Sequence, residues 1–337
     1  MTSSLTSCVD DLLGRDPGRG VTSALGLVHD GHMVVERYGV IPANPLRPEV
    51  AVTADTPLLS WSVAKSVVHA LVGTLIVDGS IDIHDRVELG RDDTSITWLD
   101  LLEMRSGLAF VEEYEPDQPS DCIEMLFSGE DASGVADMGA FAAGQPVVTP
   151  PGHVWNYSSG STNIICRAIG DCLAGTVDEV GADARRDAVE NHLRQHVIGP
   201  AGMEAWSARF DRSGTLIGSS FMWAPLRSWC AFGELYRRGG HGPADNVVLP
   251  LDWVKGAGVA IAHDPDGDGP EGFGYGRHWW TWPHRPGVFA AHGYEGQFIV
   301  VWPEAKVTLA HFGVTPREHA PALIEQLDRL LDAAVAP

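Results

Sequence analysis

From Leu58 to Ser80 the chain reads LLSWSVAKSVVHALVGTLIVDGS, apolar on almost every helical face, which predicts a buried helix rather than a surface one. Two other stretches are β-rich instead. ALGLVHDGHMVVERYGV, Ala24 to Val40, sets two β-rich runs around Asp30-Gly31, and GQFIVVWPEAKVTLAHFG, Gly296 to Gly313, sets two more around Pro303 to Ala305. Both patterns predict hairpins, the first with a strong turn signal. An amphipathic helix should follow the second, over about Arg317 to Ala334, with Leu323, Leu327 and Leu330 on one face. Between the two ends the patterns are mostly helical and broken by glycine and proline. TSITWLDLLEMRSG reads as a short helix capped by Thr97 and stopped by Gly107, and APLRSWCAFGELYRRGG as one with Pro225 in its first turn and Gly239 beyond its end.

Strands and helices at both ends predict an α/β (α+β) fold in which an antiparallel sheet flanked by helices is assembled from both termini, with a mostly helical insertion. The expected division is residues 1–80 with 221–337 for the α/β part and 81–220 for the helical part, with the active site at their seam. A chain of 337 residues is long enough for such a core.

Charge narrows the partners. Acidic residues outnumber basic ones 45 to 23, a net charge of −22, so nucleic acid would be repelled over most of the surface. No window offers the roughly 18 uninterrupted apolar residues of a membrane span. MTSSLTSCVDDLLGRDPG has neither a basic n-region nor an apolar h-region, so the expectation is a cytoplasmic protein without membrane attachment. The five cysteines Cys8, Cys122, Cys166, Cys172 and Cys230 are odd in number and scattered, which predicts reduced thiols rather than a disulfide framework or a zinc site.

Positive charge is written almost wholly as arginine; the lysines are Lys65, Lys255 and Lys306. The last two lie beside turns and read as solvated. Lys65 lies inside the apolar helix, where an ammonium is costly unless it is paired or loses its proton, and lysine, unlike arginine, can lose it. Ser62 stands three residues earlier, on the same helical face. A serine nucleophile activated by a lysine base is one reading; a simple N-cap followed by a snorkelling lysine is the other. Competing motifs are absent or incomplete. No G-x-S-x-G, H-E-x-x-H or phosphate loop occurs, and GFGYG (Gly272 to Gly276) has the wrong spacing for a dinucleotide fingerprint and reads as a strand edge or turn. DPDGDG, Asp264 to Gly269, starts like a calcium loop but reaches Tyr275 where a glutamate is needed.

At this point the sequence resembles the penicillin-recognising serine hydrolases of the class C β-lactamase and esterase group, and within them the 6-aminohexanoate-dimer (nylon oligomer) hydrolases. SWSVAKS resembles the S-x-x-K motif, TWLDLLEMRSGLAFVEEY the helix and substrate loop, VWNYSSGSTNIICRAIG the segment with Y-x-N, and AHGYEGQFIVVWPE the segment with K-T-G and its strand. The resemblance implies Ser62 as the acyl-accepting nucleophile, Lys65 as its base, Tyr157 as a proton-shuttling hydroxyl, and an oxyanion hole from the backbone N–H groups of Ser62 and Tyr294. It also implies a substrate-contacting tyrosine and acid in FVEEYEPDQPSD, with Tyr114 and Asp117 or Asp121 as candidates.

The departures are specific. Ala291 stands where the third motif has lysine, His292 where it has threonine, and Ser159 where Y-x-N has asparagine. His292 is either a substrate contact or a structural histidine, and Trp279, Trp280 and Trp282 either line an acyl pocket or pack under the sheet. The expected protein is a cofactor-independent serine hydrolase of short-chain carboxylic esters or linear amides such as 6-aminohexanoate oligomers, with a homodimer as the assembly to test. The alternatives are a D-amino-acid peptidase or β-lactamase, an acyltransferase, and a non-catalytic acyl-binding scaffold.

Overall fold

The computed structural model describes residues 3–336 except 46, 116, 130–131 and 264–271, so the calcium-like stretch Asp264 to Gly269 lies outside the described residues. The longer helices, in chain order, are α1 (Ser3–Leu13), α2 (Val63–Val77), α3 (Ser159–Ala174), α4 (Ala182–Leu193), α5 (Leu226–Arg237) and α6 (Ala320–Val335). The chain divides into two compact units, one of Met1–Val63, Ile198–Ser207 and Trp223–Pro337, the other of Ala64–Val197 and Ala208–Met222.

The first unit is built on an antiparallel sheet of β1 (Val21–His29), β2 (His32–Tyr38), β3 (Ala262–His263), β4 (Gly274–Tyr275), β5 (Trp280–Thr281), β6 (Phe289–Gly293), β7 (Gln297–Trp302) and β8 (Val307–Val314). Its spatial order is β2-β1-β8-β7-β6-β5-β4-β3. The two predicted hairpins are there, and β1 pairs with β8 from Val21↔Val314 to His29↔Val307, which joins the two ends of the chain in the sheet. Alternation along β1 decides what covers each face. Leu25 and Leu27 belong to a core with Leu5, Val9 and Leu12 of α1 and Leu323, Leu327 and Leu330 of α6. On the other face α5 crosses close to the strands at Gly233, where an added Cβ would stand 2.4 Å from Thr308 Cγ2. Helix α5 begins after Pro225, one residue later than the pattern predicts, and stops before Gly239, whose φ of 65° is left-handed. Trp279 and Trp282 are fully packed in this unit, which decides for packing at those two positions, and GFGYG contributes β4.

In the second unit α2 is covered on every side: Val67, Val68, Ala70, Leu71, Val72 and Leu75 have no exposure. The helix begins at Val63, directly after Ser62, as the reading of Ser62 at its N-terminus expects; Leu58 and Leu59 before it are extended, and Ser60 to Ser62 form a turn. Helices α3 and α4 are tied by buried Arg185, which bonds the Asp171 carboxylate and donates to the carbonyls of Gly175 and Arg167 at 2.9 and 3.1 Å. Thr97 and Asp100 form a reciprocal capping box on the short helix Trp98–Leu102. The five cysteines are free thiols, and among the described residues no helix is long and apolar enough to cross a membrane.

Candidate active site

Lys65 is 2 % exposed, so its amine must be satisfied by protein groups. Its Nζ donates to Ser159 Oγ and to the Ser219 carbonyl, each at 3.0 Å, and lies 4.9 Å from the centre of the Tyr157 ring. Ser159 is the first residue of α3, capped by Ser158, so its side chain is fixed by a helix end rather than by a loop. The Ser219 carbonyl is held in place because Ser219 N–H donates to Asn163 Oδ1 at 3.3 Å, one turn further along α3.

Glu112 completes this cluster, although nothing in the sequence separates it from the other acids of its loop. Its carboxylate accepts from Ser159 N–H at 2.7 Å, Ser159 Oγ at 2.6 Å, Tyr114 Oη at 2.5 Å and Cys122 Sγ at 3.5 Å. Tyr114 is 37 % exposed, but its hydroxyl end is enclosed; burial first, and then the Glu112 charge, hold the phenol well above its usual pKa. The same two causes push up the Cys122 thiol. Asp121 does something else: it opens the helix Asp121–Phe127 and accepts from Val111 N–H at 2.7 Å, which braces the loop. Asp117 is exposed on that loop. The structure thus gathers Lys65, Tyr157, Ser159, Tyr114 and Glu112, and spends Asp121 on the backbone. The only sequence signal for Glu112 was its membership of an acidic loop.

Ser62 sits in the turn that precedes α2, next to Trp61, whose φ of 43° is left-handed and strained for a bulky residue. The end of β6 comes right up to this turn. A Cβ built on Gly293 would stand 2.4 Å from Ser60 O and 3.2 Å from Ser62 N, so only glycine permits the approach. The following residue, Tyr294, places its ring edge-on to Trp61 with centroids 5.8 Å apart. Glu295 is left-handed as well, with a φ of 62°, and bonds the Trp61 side chain; burial raises its pKa. The backbone N–H groups of Ser62 and Tyr294 are therefore carried by two segments in direct contact.

His292 lies flat on Phe298, ring centroids 4.3 Å apart and planes 5° off parallel, with Trp280 and Phe273 beyond. Enclosure pushes its pKa down to about 4. It is neutral at pH 7 and does not replace the missing third-motif cation.

These features agree with what the sequence matches. The profile of the family described as Beta-lactamase covers residues 9–319. The chain belongs to the beta-lactamase family. That family's fold is the one described above, and its members are serine hydrolases. Among solved structures the chain is similar to a candidate 6-aminohexanoate-dimer hydrolase from Bacillus anthracis, at 20 % identity and a TM-score of 0.72 over 97 % of this chain and 81 % of that one. It is also similar to an octameric penicillin-binding protein homologue from Pyrococcus abyssi (16 %, TM-score 0.69, 98 % and 76 %). A third is a hydrolase with promiscuous acyltransferase activity (14 %, TM-score 0.70, 99 % of both chains). At these identities the likeness is one of fold. No curated protein matches the sequence significantly.

Proposed function

We propose that this beta-lactamase-family enzyme hydrolyses short neutral carboxylic esters and linear amides through an acyl-enzyme on Ser62. The observation that carries the reading is the burial of Lys65 against Ser159, the Ser219 carbonyl and the Tyr157 ring, one helical turn after a serine. In this scheme Lys65 takes the Ser62 proton as Oγ attacks the carbonyl carbon. The N–H groups of Ser62 and Tyr294 hold the oxyanion, each worth about 3 kcal/mol in the transition state. Tyr157 then protonates the leaving oxygen or nitrogen, and water releases the acid in a second round. Neutral esters are favoured over penicillins because Ala291 and the uncharged His292 offer no partner to a carboxylate, and an unpaired ion in a desolvated cleft costs several kcal/mol. The neighbour described as a 6-aminohexanoate-dimer hydrolase supports the amide class. Assembly is open to light scattering, with a homodimer as the smallest symmetric form.

The test is intact-protein mass spectrometry after a fluorophosphonate probe, followed by turnover of nitrophenyl esters, nitrocefin and 6-aminohexanoate oligomers. One phosphonyl adduct on Ser62 and nitrophenyl acetate turned over faster than nitrocefin are expected. Faster nitrocefin turnover would overturn the substrate assignment.

A further inference from the structure

The hydrogen bonds around Lys65 have a direction, and it is set from Glu112. A carboxylate can only accept, and a serine hydroxyl has one proton to give. Ser159 gives that proton to Glu112 Oε1 at 2.6 Å while its backbone N–H donates to Oε2 at 2.7 Å. Toward Lys65, therefore, Ser159 Oγ acts as acceptor, the sense seen at 3.0 Å. The other partner, the Ser219 carbonyl, has no proton to give. An ammonium carries three N–H bonds; the neutral amine that acts as a base carries two and a lone pair. With Ser159 and Ser219 both confined to accepting, the two N–H bonds of neutral Lys65 go to them, and the lone pair occupies the remaining tetrahedral direction.

We propose that Glu112 is a positioning residue: by holding the Ser159 hydroxyl as an acceptor, it keeps the lone pair of neutral Lys65 available for the proton of the nucleophile. This rests on the assignment of Ser62 and Lys65 above. Without a carboxylate at 112 the Ser159 proton turns toward Lys65 and occupies the lone pair. Glutamine cannot substitute. If its oxygen takes the Ser159 hydroxyl proton, its NH₂ faces the Ser159 N–H; if it flips, the NH₂ donates to Ser159 Oγ and drives the hydroxyl proton toward the amine. Glu112 accepts four hydrogen bonds from three residues, three on Oε1 and one on Oε2, and every partner is a donor.

The experiment follows the rate of Ser62 acylation, by fluorophosphonate labelling and by the nitrophenyl acetate burst. It compares the wild type with Glu112→Gln, Ser159→Ala, Ser159→Thr and the double variant Glu112→Gln/Ser159→Ala, with melting temperatures recorded for each. Because general-base catalysis is worth about 10²–10⁴-fold, Glu112→Gln should slow acylation on the order of 10²-fold, with KM for the neutral ester nearly unchanged. Ser159→Thr, which keeps the hydroxyl, should retain most of the rate that Ser159→Ala loses. The double variant should acylate no more slowly than Ser159→Ala alone, because Glu112 acts through that hydroxyl. Wild-type acylation rates in Glu112→Gln, or losses that multiply in the double variant, would overturn the proposal. Should Glu112→Gln fail to fold, equal rates in Ser159→Ala and Ser159→Thr would do the same. A wild-type protein unlabelled on Ser62 would instead remove the nucleophile assignment on which it stands.

Discussion

Gly293→Ala isolates the oxyanion hole from the rest of the chemistry. The backbone at Gly293 has φ −127°, which alanine adopts freely, so the substitution carries no dihedral penalty. Its cost is steric: the new methyl would stand 2.4 Å from Ser60 O, about 1 Å inside ordinary contact, with Gln297 Cβ at 3.1 Å and Ser62 N at 3.2 Å, and the closest of these atoms is main chain, which cannot swing aside as a side chain can. The end of β6 and the Ser60 to Ser62 turn must therefore separate by about 1 Å, and Tyr294 N–H moves with β6. Losing one oxyanion donor costs about 10²–10³ in kcat, and misplacement by 1 Å costs about 10². We expect kcat for nitrophenyl acetate to fall about 10²-fold, equivalent to about 2.7 kcal/mol of transition-state stabilisation, with KM little changed. Steady-state kinetics beside the melting temperature separates this from global destabilisation, since the folded variant should still bind substrate. A folded Gly293→Ala with kcat within about threefold of wild type would refute the reasoning, because it would mean that Tyr294 N–H does not face the reacting oxygen.

Ser62→Ala should abolish fluorophosphonate labelling and reduce ester turnover by about 10⁵–10⁶-fold while the melting temperature holds; several per cent residual kcat would leave Ser62 as an N-cap only. Lys65→Arg keeps the charge and loses the basicity, so it should be nearly as inactive as Lys65→Ala, and an active arginine variant would assign Lys65 a purely electrostatic role. Acid stability should depend on the buried histidines: burial lowers His292 to about 4 and His311 to about 3, below the value of about 6.5 expected unfolded. Their contribution is complete above pH 6.5 and is lost as pH falls toward 4 and then 3, because the unfolded chain binds the extra protons. Urea unfolding across that range should steepen accordingly, and His311→Gln should flatten it; an unchanged slope would contradict the assignment.

The sequence showed clearly those parts whose physics is local. The Asp30-Gly31 turn fixes one hairpin by backbone conformation, and both residues indeed have positive φ. The lysine inside an all-apolar stretch stood out because burial of charge is rare. The short strand before α2 is less clear, since Leu58 and Leu59 fit a helix or a strand equally well by hydrophobicity. Strands β3, β4 and β5 are two residues each and have no period to read. Glu112 was hidden for another reason: its partner Ser159 is 47 residues away, and nothing in FVEEYEP separates the acid that turns inward from those that face water. The left-handed Trp61 was equally invisible, because tertiary packing imposes that conformation against the residue's own preference.

The pairing of β1 with β8 also governs how the chain is made. When the β1-β2 hairpin leaves the ribosome, the strand that completes its inner edge has not been translated. Some 276 residues separate Tyr38 from Val314, so at about 5–20 residues per second the edge of β1 stays open for roughly 15–55 s. Leu25 and Leu27 wait longer still for α6, which follows β8 in the chain. An unpaired apolar strand edge is a template for wrong partners, so the nascent chain is exposed to aggregation until β8 and α6 emerge. Slowing translation of the codons for residues 298–337 should therefore lower soluble yield more than slowing any earlier stretch of equal length, with no change in the folded protein's stability.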